Sequence, residues 1–375
     1  MTRIVNFALT EEQADLAEEA RKTARERLAP IAARGEPGRV NRELVKALAE
    51  TGLLARLFPE SGQISGMDLC LLREAVARES TEAETALAMQ GLGGYPILQS
   101  GSRELIDRWV PALARGEAVG AFALTEPDHG TDAGAIELSA ERDGDAWRLS
   151  GIKTWISNAP DADVYILFAR TAADAGPKGV TAFVLPGNAS GLSGEPIHLL
   201  GPHPIGRLEL DGVELPAGNV LGDVDAGFRV AMRTLDLYRP SVGAFAVGMA
   251  QAALDLAAAR AGERRSMGKP LREHQAVSQT LAEMATRTEA ARLLVYAAAS
   301  AHDRGEQVTK RSAMAKLFAT ETAQWVVDMA VQIHGASGLE RGHPLEHLYR
   351  DVRAPRIYEG TSEIQREIIA RELYR

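Results

Sequence analysis

"AWRLSGIKTWISN", residues 146–158, alternates apolar and polar side chains and is rich in the branched and aromatic residues of a β-strand. Runs of the same texture follow it in "DVYILFAR" (163–170), "GVTAFVLP" (179–186) and "GRLELDGVELP" (206–216), with Gly, Pro, Asp and Asn at turn-like intervals. Such short runs predict an antiparallel barrel or sandwich rather than a parallel sheet. On either side the period changes. "TEEQADLAEEARKTARERLAPIAA" (10–33), "NRELVKALAETGLL" (41–54) and "SRELIDRWVPALA" (102–114) have amphipathic helical spacing, the first opening on Thr10 as N-cap. After Gly227 come Ala-rich helical runs, 239–265, 274–304 and 311–335, long enough for a bundle. The chain therefore reads as an α+β multidomain protein. An N-terminal α-helical domain (1–118) is followed by a central antiparallel β-barrel or sandwich domain (119–223) and a C-terminal four-helix-bundle-type domain (224–375).

Composition narrows the function classes. With 45% hydrophobic and 25% charged residues over 375 positions, the chain can bury a sizeable core. A formal charge of -9 and the lack of a long basic run argue against nucleic acid as a partner. One cysteine, Cys70 in "MDLCLLREAV", permits no intrachain disulfide; it suits a reducing, cytoplasmic setting, with Cys70 packed in a core. The first 22 residues hold no apolar signal region, and no run of 18 uninterrupted apolar residues predicts a membrane span. His343 and His347 in "HPLEH" are spaced i, i+4, but no third ligand accompanies them, so no metal site is expected; His198 and His203 are read as packing residues. No P-loop, G-x-S-x-G or strand-linked G-x-G-x-x-G is present.

Two stretches point to chemistry. "AFALTEPDHGTDAG" (121–134) offers hydroxyls and close backbone N–H groups, which suit a phosphate or a flavin's polar edge. In "KTWISN" (153–158), Trp155 and Ser157 occupy alternate positions and so are expected on one face, an indole beside a hydroxyl.

With "LTEPDHGTD", "KTWISN", "ERRSMGKPLREHQ", "QIHGASG" and "YEGTSEIQREIIAREL" in this order, the sequence resembles the acyl-CoA dehydrogenases over essentially its whole length. The resemblance implies bound FAD. Phe122, Leu124, Thr125, Gly130 and Thr131 would line the flavin and pyrophosphate, and Trp155, Ile156 and Ser157 the other flank, Ser157 standing where the family reaches flavin N5. Arg264, Ser266, Gln275, Gln332, Ile333, Gly335 and Ala336 would hold the nucleotide end of a neighbouring subunit's FAD, with Thr361 and Glu363 also assigned to the cofactor. Three residues depart from the family pattern: Thr131 for Ser, Met267 for Phe and Ala336 for Gly.

By the same resemblance Glu359, in "YEGTSEIQ", is the base that removes a proton α to a thioester, and its own N–H with a ribityl hydroxyl would bind the thioester oxygen. Ser362 and Gln365 fit a capping box, which would start a helix just after Glu359. The family's other position for the base aligns with Tyr238, whose phenol is too weak an acceptor near neutral pH. Thr131, Asp236, Arg239, Tyr358, Gly360 and Arg371 are the substrate-side residues, and Met89, Gln90 and Tyr95 candidates for limiting the acyl pocket.

The leading expectation is α,β-dehydrogenation of a short or medium acyl-CoA, with electron-transferring flavoprotein as acceptor and a homotetramer built as a dimer of dimers. The alternative keeps the reaction but places an acyl or aminoacyl group on a carrier protein. An oxidase-type flavoenzyme, or a non-catalytic relative on this fold, ranks below both, and protein that cannot be reconstituted with FAD would discriminate against every enzymatic version.

Overall fold

The computed structural model describes residues 8–374, so the outer limits of the first and third predicted segments, residues 1 and 375, lie outside it. Helices α1 (Glu11–Thr23), α2 (Ala29–Ala32), α3 (Arg42–Glu50), α4 (Gly66–Ala77), α5 (Thr81–Ser100) and α6 (Arg103–Ala114) come first. Strands β1 (Gly120–Ala123), β2 (Ser139–Asp143), β3 (Ala146–Ser157), β4 (Val164–Arg170), β5 (Val180–Pro186), β6 (Leu192–Pro196), β7 (Ile205–Pro216) and β8 (Val220–Leu221) follow. The chain ends in α7 (Gly227–Glu263), a hairpin of β9 (Arg265–Ser266) and β10 (Lys269–Pro270), then α8 (Gln275–Asp303), α9 (Thr309–His334), α10 (Pro344–Asp351) and α11 (Ser362–Leu373). A helical N-terminal region, a β region and a helical C-terminal region are thus present as the periodicities predict.

By contacts the chain forms two compact units that interleave along the sequence. One comprises Met1–Glu26, Ser65–Glu84 and Asp236–Arg375, the other Arg27–Ile64 and Thr85–Leu235. The first unit is helical. Its core is Ala-rich, with Ala244, Ala246, Ala250, Ala253, Ala298, Ala315 and Ala319 buried among Met67, Met249 and Val295, so small side chains let long helices approach closely. Cys70 is buried in this core, and burial pushes its thiol up, which confirms a packing role. Thr10 caps α1 through a complete capping box with Gln13.

His347 on α10 belongs to no metal site: among the described residues no group of three or more metal-ligating side chains occurs. Its Nε2 lies 3.3 Å from Glu82 and 3.1 Å from Asp351, while Thr81 donates to Asp351 at 2.7 Å. Hydrogen bonds from these two carboxylates raise His347 to about 10, and Glu82 falls to about 2. Because the folded imidazolium is favoured, the stability it adds is complete below about pH 6.5 and disappears as pH rises through about 10. His347→Gln is therefore expected to destabilise by about 1–3 kcal/mol near pH 7, with the deficit shrinking toward pH 10 in denaturant titrations. His343 instead accepts from Leu345 N and caps α10.

The second unit holds an eight-stranded sheet in the order β6-β7-β3-β2-β4-β5-β8, with β1 paired to β4. Most pairs are antiparallel, but β1 and β4 run parallel from Gly120↔Val164 to Ala123↔Leu167, and β2 meets β4 in parallel at Ser139↔Arg170. The sheet is consequently mixed, a correction to the antiparallel expectation. Both faces of β4 and β5 are buried, and their sequences are accordingly continuous apolar runs that carry no directional signal. Gln90 is fully buried, donating to the Leu113 and Ala118 carbonyls and accepting from Gly120 N. Its amide is committed to backbone and cannot serve as an acyl-pocket wall.

One helix, α7, is long and apolar enough to cross a membrane by length and composition, and most of that stretch is buried in the protein, as in a core helix.

Candidate active site

Glu359 stands on a backbone turn that side chains rarely adopt. Its φ is +51° and that of Gly360 is +93°, so two consecutive residues are left-handed immediately ahead of α11. A Cβ at position 360 would also lie 2.6 Å from Gln365 Nε2, so glycine is required for space as well as for φ. The cap differs from the predicted box: Thr361, not Ser362, accepts from Ile364 N, whereas Ser362 Oγ donates to Glu321 at 2.5 Å. Gln365, fully buried, turns back to donate to the carbonyls of Glu359 (3.2 Å) and Gly360 (3.0 Å). The glutamine in the motif holds the turn and closes no capping box.

Three cations face this turn within the same unit. Lys316 on α9, wholly inaccessible to solvent, donates to Gly360 O at 2.6 Å. Arg239 on α7 reaches Glu359 O at 3.5 Å, the outer limit of a hydrogen bond, and pairs with Asp236 at 3.2 Å. Arg73 on α4 is buried, bonded to Glu84 and, at 2.7 Å, to Ser241 Oγ, with its guanidinium 5.9 Å from the Phe245 ring. Tyr358, beside Glu359, is pushed well above the ordinary phenol range by burial.

Burial raises Glu359 above the ordinary carboxylate range, and Arg73, Lys316 and Arg239, in that order, pull it back. Its Oε2 is closed off from solvent with no hydrogen-bond partner among the described residues. An unpartnered buried carboxylate oxygen is costly, and in an apolar slot it is poised to accept a proton. Glu84 is raised to about 7 by burial, and Lys316 is lowered to about 8 for the same reason. Tyr238 is fully buried.

Arg73, Glu84 and Lys316 were not among the sequence candidates. Each interrupts an otherwise apolar helical run, in "LLREAV", "TEAETALAM" and "SAMAKLFA", and a lone charge in such a run was the signal available.

In the second unit the two flavin-like stretches are stitched together. Thr154 N donates to Thr125 O at 3.0 Å, and buried Lys153 donates to Leu124 O (2.9 Å) and Glu126 (2.8 Å). Glu126 in turn accepts from the backbone N–H of Glu137 and Leu138. Phe122 is half-buried and packs on Phe168 with ring centres 4.9 Å apart. Leu124 and Ile156 are buried, Thr125 is half-buried, and Gly130 and Thr131 are exposed.

The strand does not keep the alternation that the sequence suggests. The β3–β7 register shifts between Lys153 and Ile156, Trp155 has φ +57° and is 53% exposed, and Ser157 is only half-buried. A bulge here re-aims the indole, so common facing of Trp155 and Ser157 no longer follows from spacing. Ser157 Oγ lies 2.7 Å from His203 Nε2, which gives His203 a place at this edge that its turn-rich sequence did not signal.

An exposed indole, two hydroxyls and an open glycine-bearing loop on one rim fit the donor set an isoalloxazine needs. Elsewhere Arg264, Ser266 and Gln275 are exposed around the β9–β10 hairpin, where His274 Nε2 lies 3.2 Å from Ser266 O. Met267 sits at the hairpin tip with φ +48° and 92% exposed. Gln332, Gly335 and Ala336 are exposed at the end of α9, with Ile333 half-buried. Thr361 is half-buried, Glu363 and Arg371 are exposed.

Comparison with known proteins agrees along the chain. Residues 10–117, 121–213 and 225–374 match the families described as acyl-CoA dehydrogenase N-terminal, middle and C-terminal domains. Cyclohexane-1-carbonyl-CoA dehydrogenase of Geobacter metallireducens is 38% identical over 98% of each chain. The structure of butyryl-CoA dehydrogenase from Megasphaera elsdenii superposes with a TM-score of 0.94 at 34% identity, covering 99% of this chain and 100% of that one. PigA, solved with FAD and proline, gives 0.94 at 28% identity over 99% of both chains.

Proposed function

This chain belongs to the acyl-CoA dehydrogenase family of FAD-dependent oxidoreductases, and on that premise we propose that it introduces a trans-2 double bond into a short or medium acyl-CoA with Glu359 as the α-proton base. The observation that carries the assignment is the Glu359 carboxylate: buried, raised by desolvation and with Oε2 unpartnered. The α C–H of a thioester is a weak acid, so the base must be dehydrated and aimed, and the left-handed turn at 359–360 does both. Oε2 takes the α-proton, and the electron pair of that C–H bond becomes the new C–C double bond. FAD, when bound, supplies at N5 the acceptor for the β-hydrogen with its two electrons. Phe122 to Thr131 and Trp155 to Ser157 would hold the isoalloxazine, and Arg264, Ser266, Gln275 and Gln332 to Ala336 the nucleotide end of a neighbour's cofactor. Thr361 and Glu363 would contribute to the same cofactor.

Arg239 with Asp236, Tyr358, Gly360, Thr131 and Arg371 are proposed on the substrate side, a burden that Arg239 shares with its ion pair. Electron-transferring flavoprotein is the proposed acceptor, a homotetramer the proposed assembly, and fatty-acid metabolism in the cytoplasm the proposed setting, the last resting on the lone reduced cysteine. Three segments, 1–118, 119–223 and 224–375, are proposed as the domains.

Similarity to PigA with bound proline favours one second reading, an aminoacyl group carried on a protein. Anaerobic bleaching of the flavin against matched acyl-CoA and acyl-carrier thioesters of two to eight carbons decides between them. Faster bleaching by CoA thioesters supports the first reading, faster bleaching by the carrier forms replaces it with the second, and no bleaching by either rejects both.

A further inference from the structure

Lys316 presents an unusual arrangement for a lysine beside a carboxylate. It is wholly buried on α9, and among the described residues its one hydrogen-bond acceptor is the carbonyl of Gly360, the residue after Glu359. It forms no ion pair with Glu359, whose Oε2 is left without a partner. A lysine that salt-bridged the carboxylate would hold both oxygens' electron density and make a poor base. Tied to the next carbonyl, the ammonium acts on the carboxylate through space alone.

We propose that Lys316 is a positioning residue for Glu359: by bonding the Gly360 carbonyl it fixes the left-handed turn and supplies a stationary positive charge beside the base, while leaving Oε2 open to a proton. Gln365 shares the first task and not the second, since its neutral amide bonds the carbonyls of Glu359 and Gly360. Burial by itself would hold the carboxyl protonated. A cation held one carbonyl away offsets that burial without occupying the reactive oxygen. The same burial lowers Lys316 to about 8, consistent with a charge kept in an apolar slot by the anion it faces.

Other charges around the pair stay constant in the test. Glu359 is faced by Arg73 from α4, Arg239 from α7 and, across Arg73, Glu84 at the start of α5, with Tyr358 adjoining in sequence. Lys316 is further faced by Arg239, by Glu321 on α9 and by Glu363 on α11.

The inference rests on Glu359 being the base. FAD-loaded wild type, Lys316→Gln, Lys316→Met and Gln365→Met are mixed anaerobically with butyryl-CoA, or with whichever thioester bleaches wild type fastest, from pH 5 to 9. The rate of bleaching at saturation and the substrate concentration for half-maximal rate are read separately. Loss of the charge should move the acid limb of the rate upward by about one pH unit in both Lys316 variants. The half-maximal concentration should change less than about threefold. Gln365→Met should lower the plateau roughly tenfold and leave the limb in place.

Lys316→Gln retains a donor for Gly360 O, so it provides a folded neutral variant if Lys316→Met does not hold FAD. An unmoved limb in Lys316→Gln overturns the proposal, and so does an equal limb shift in Gln365→Met, which would assign the effect to turn geometry alone. Bleaching that survives Glu359→Gln points instead to a wrong base assignment, a failure that the Lys316 variants do not produce.

Discussion

Glu359→Gln is expected to retain FAD and the fold and to lose thioester-dependent flavin bleaching by about 10²- to 10⁴-fold, the usual share of a positioned general base. Glutamine reproduces the side chain's shape but cannot take the α-proton. The stability of the variant adds a second readout. Because Glu359 is raised in the folded protein, the native state holds its proton to higher pH than the unfolded chain does, and stability falls as pH rises above the ordinary carboxylate value near 4.5. The sign is the reverse of that for a salt-bridged carboxylate. Glu359→Gln should lack this fall, so its stability relative to wild type should improve from pH 5 toward pH 7 in urea titrations. A variant that is inactive but shows the wild-type pH slope would place the raised carboxylate elsewhere.

Arg73→Met is expected to have the largest effect on stability. Removing one member of a buried ion pair leaves the other uncompensated, at a cost of about 3–5 kcal/mol. Here Glu84, already raised to about 7 while paired, can avoid part of that cost by taking a proton. Without Arg73 its proton affinity rises further, because Arg73 is the group that lowers it. The penalty should therefore be small near pH 5 and approach its full size by pH 8. Denaturation midpoints across that range check this, and a penalty independent of pH would mean that Glu84 stays ionised. Arg73→Met with Glu84→Leu, which removes both charges, should recover most of the loss.

How much was legible beforehand can be judged from particular residues. Thr10, Asn41 and Ser102 cap their helices as their sequence positions indicate, because a cap is satisfied by a backbone N–H two or three residues on. The long Ala-rich helices appear where the 3.6-residue period places them, and Glu359 was found through its motif. The details of that motif were less secure. Ser362 satisfied a capping pattern, yet Thr361 took the cap, because Ser362 has Glu321 as a partner and Gln365 has the two carbonyls of the turn. Likewise the bulge before Ile156 is invisible to alternation, since it arises from the register against β7.

The sequence by itself determined the order of helical and β regions, the family and the identity of the probable reacting groups' neighbours along the chain: all depend on periodicity, caps and short motifs, which are local. Only the tertiary structure decided what surrounds Glu359. Arg73, Glu84, Arg239 and Lys316 come from four helices, and Arg73 and Glu359 are separated by most of the chain. Desolvation and Coulomb interaction act through space, so the charge state of a carboxylate is set by packed neighbours that no local window contains.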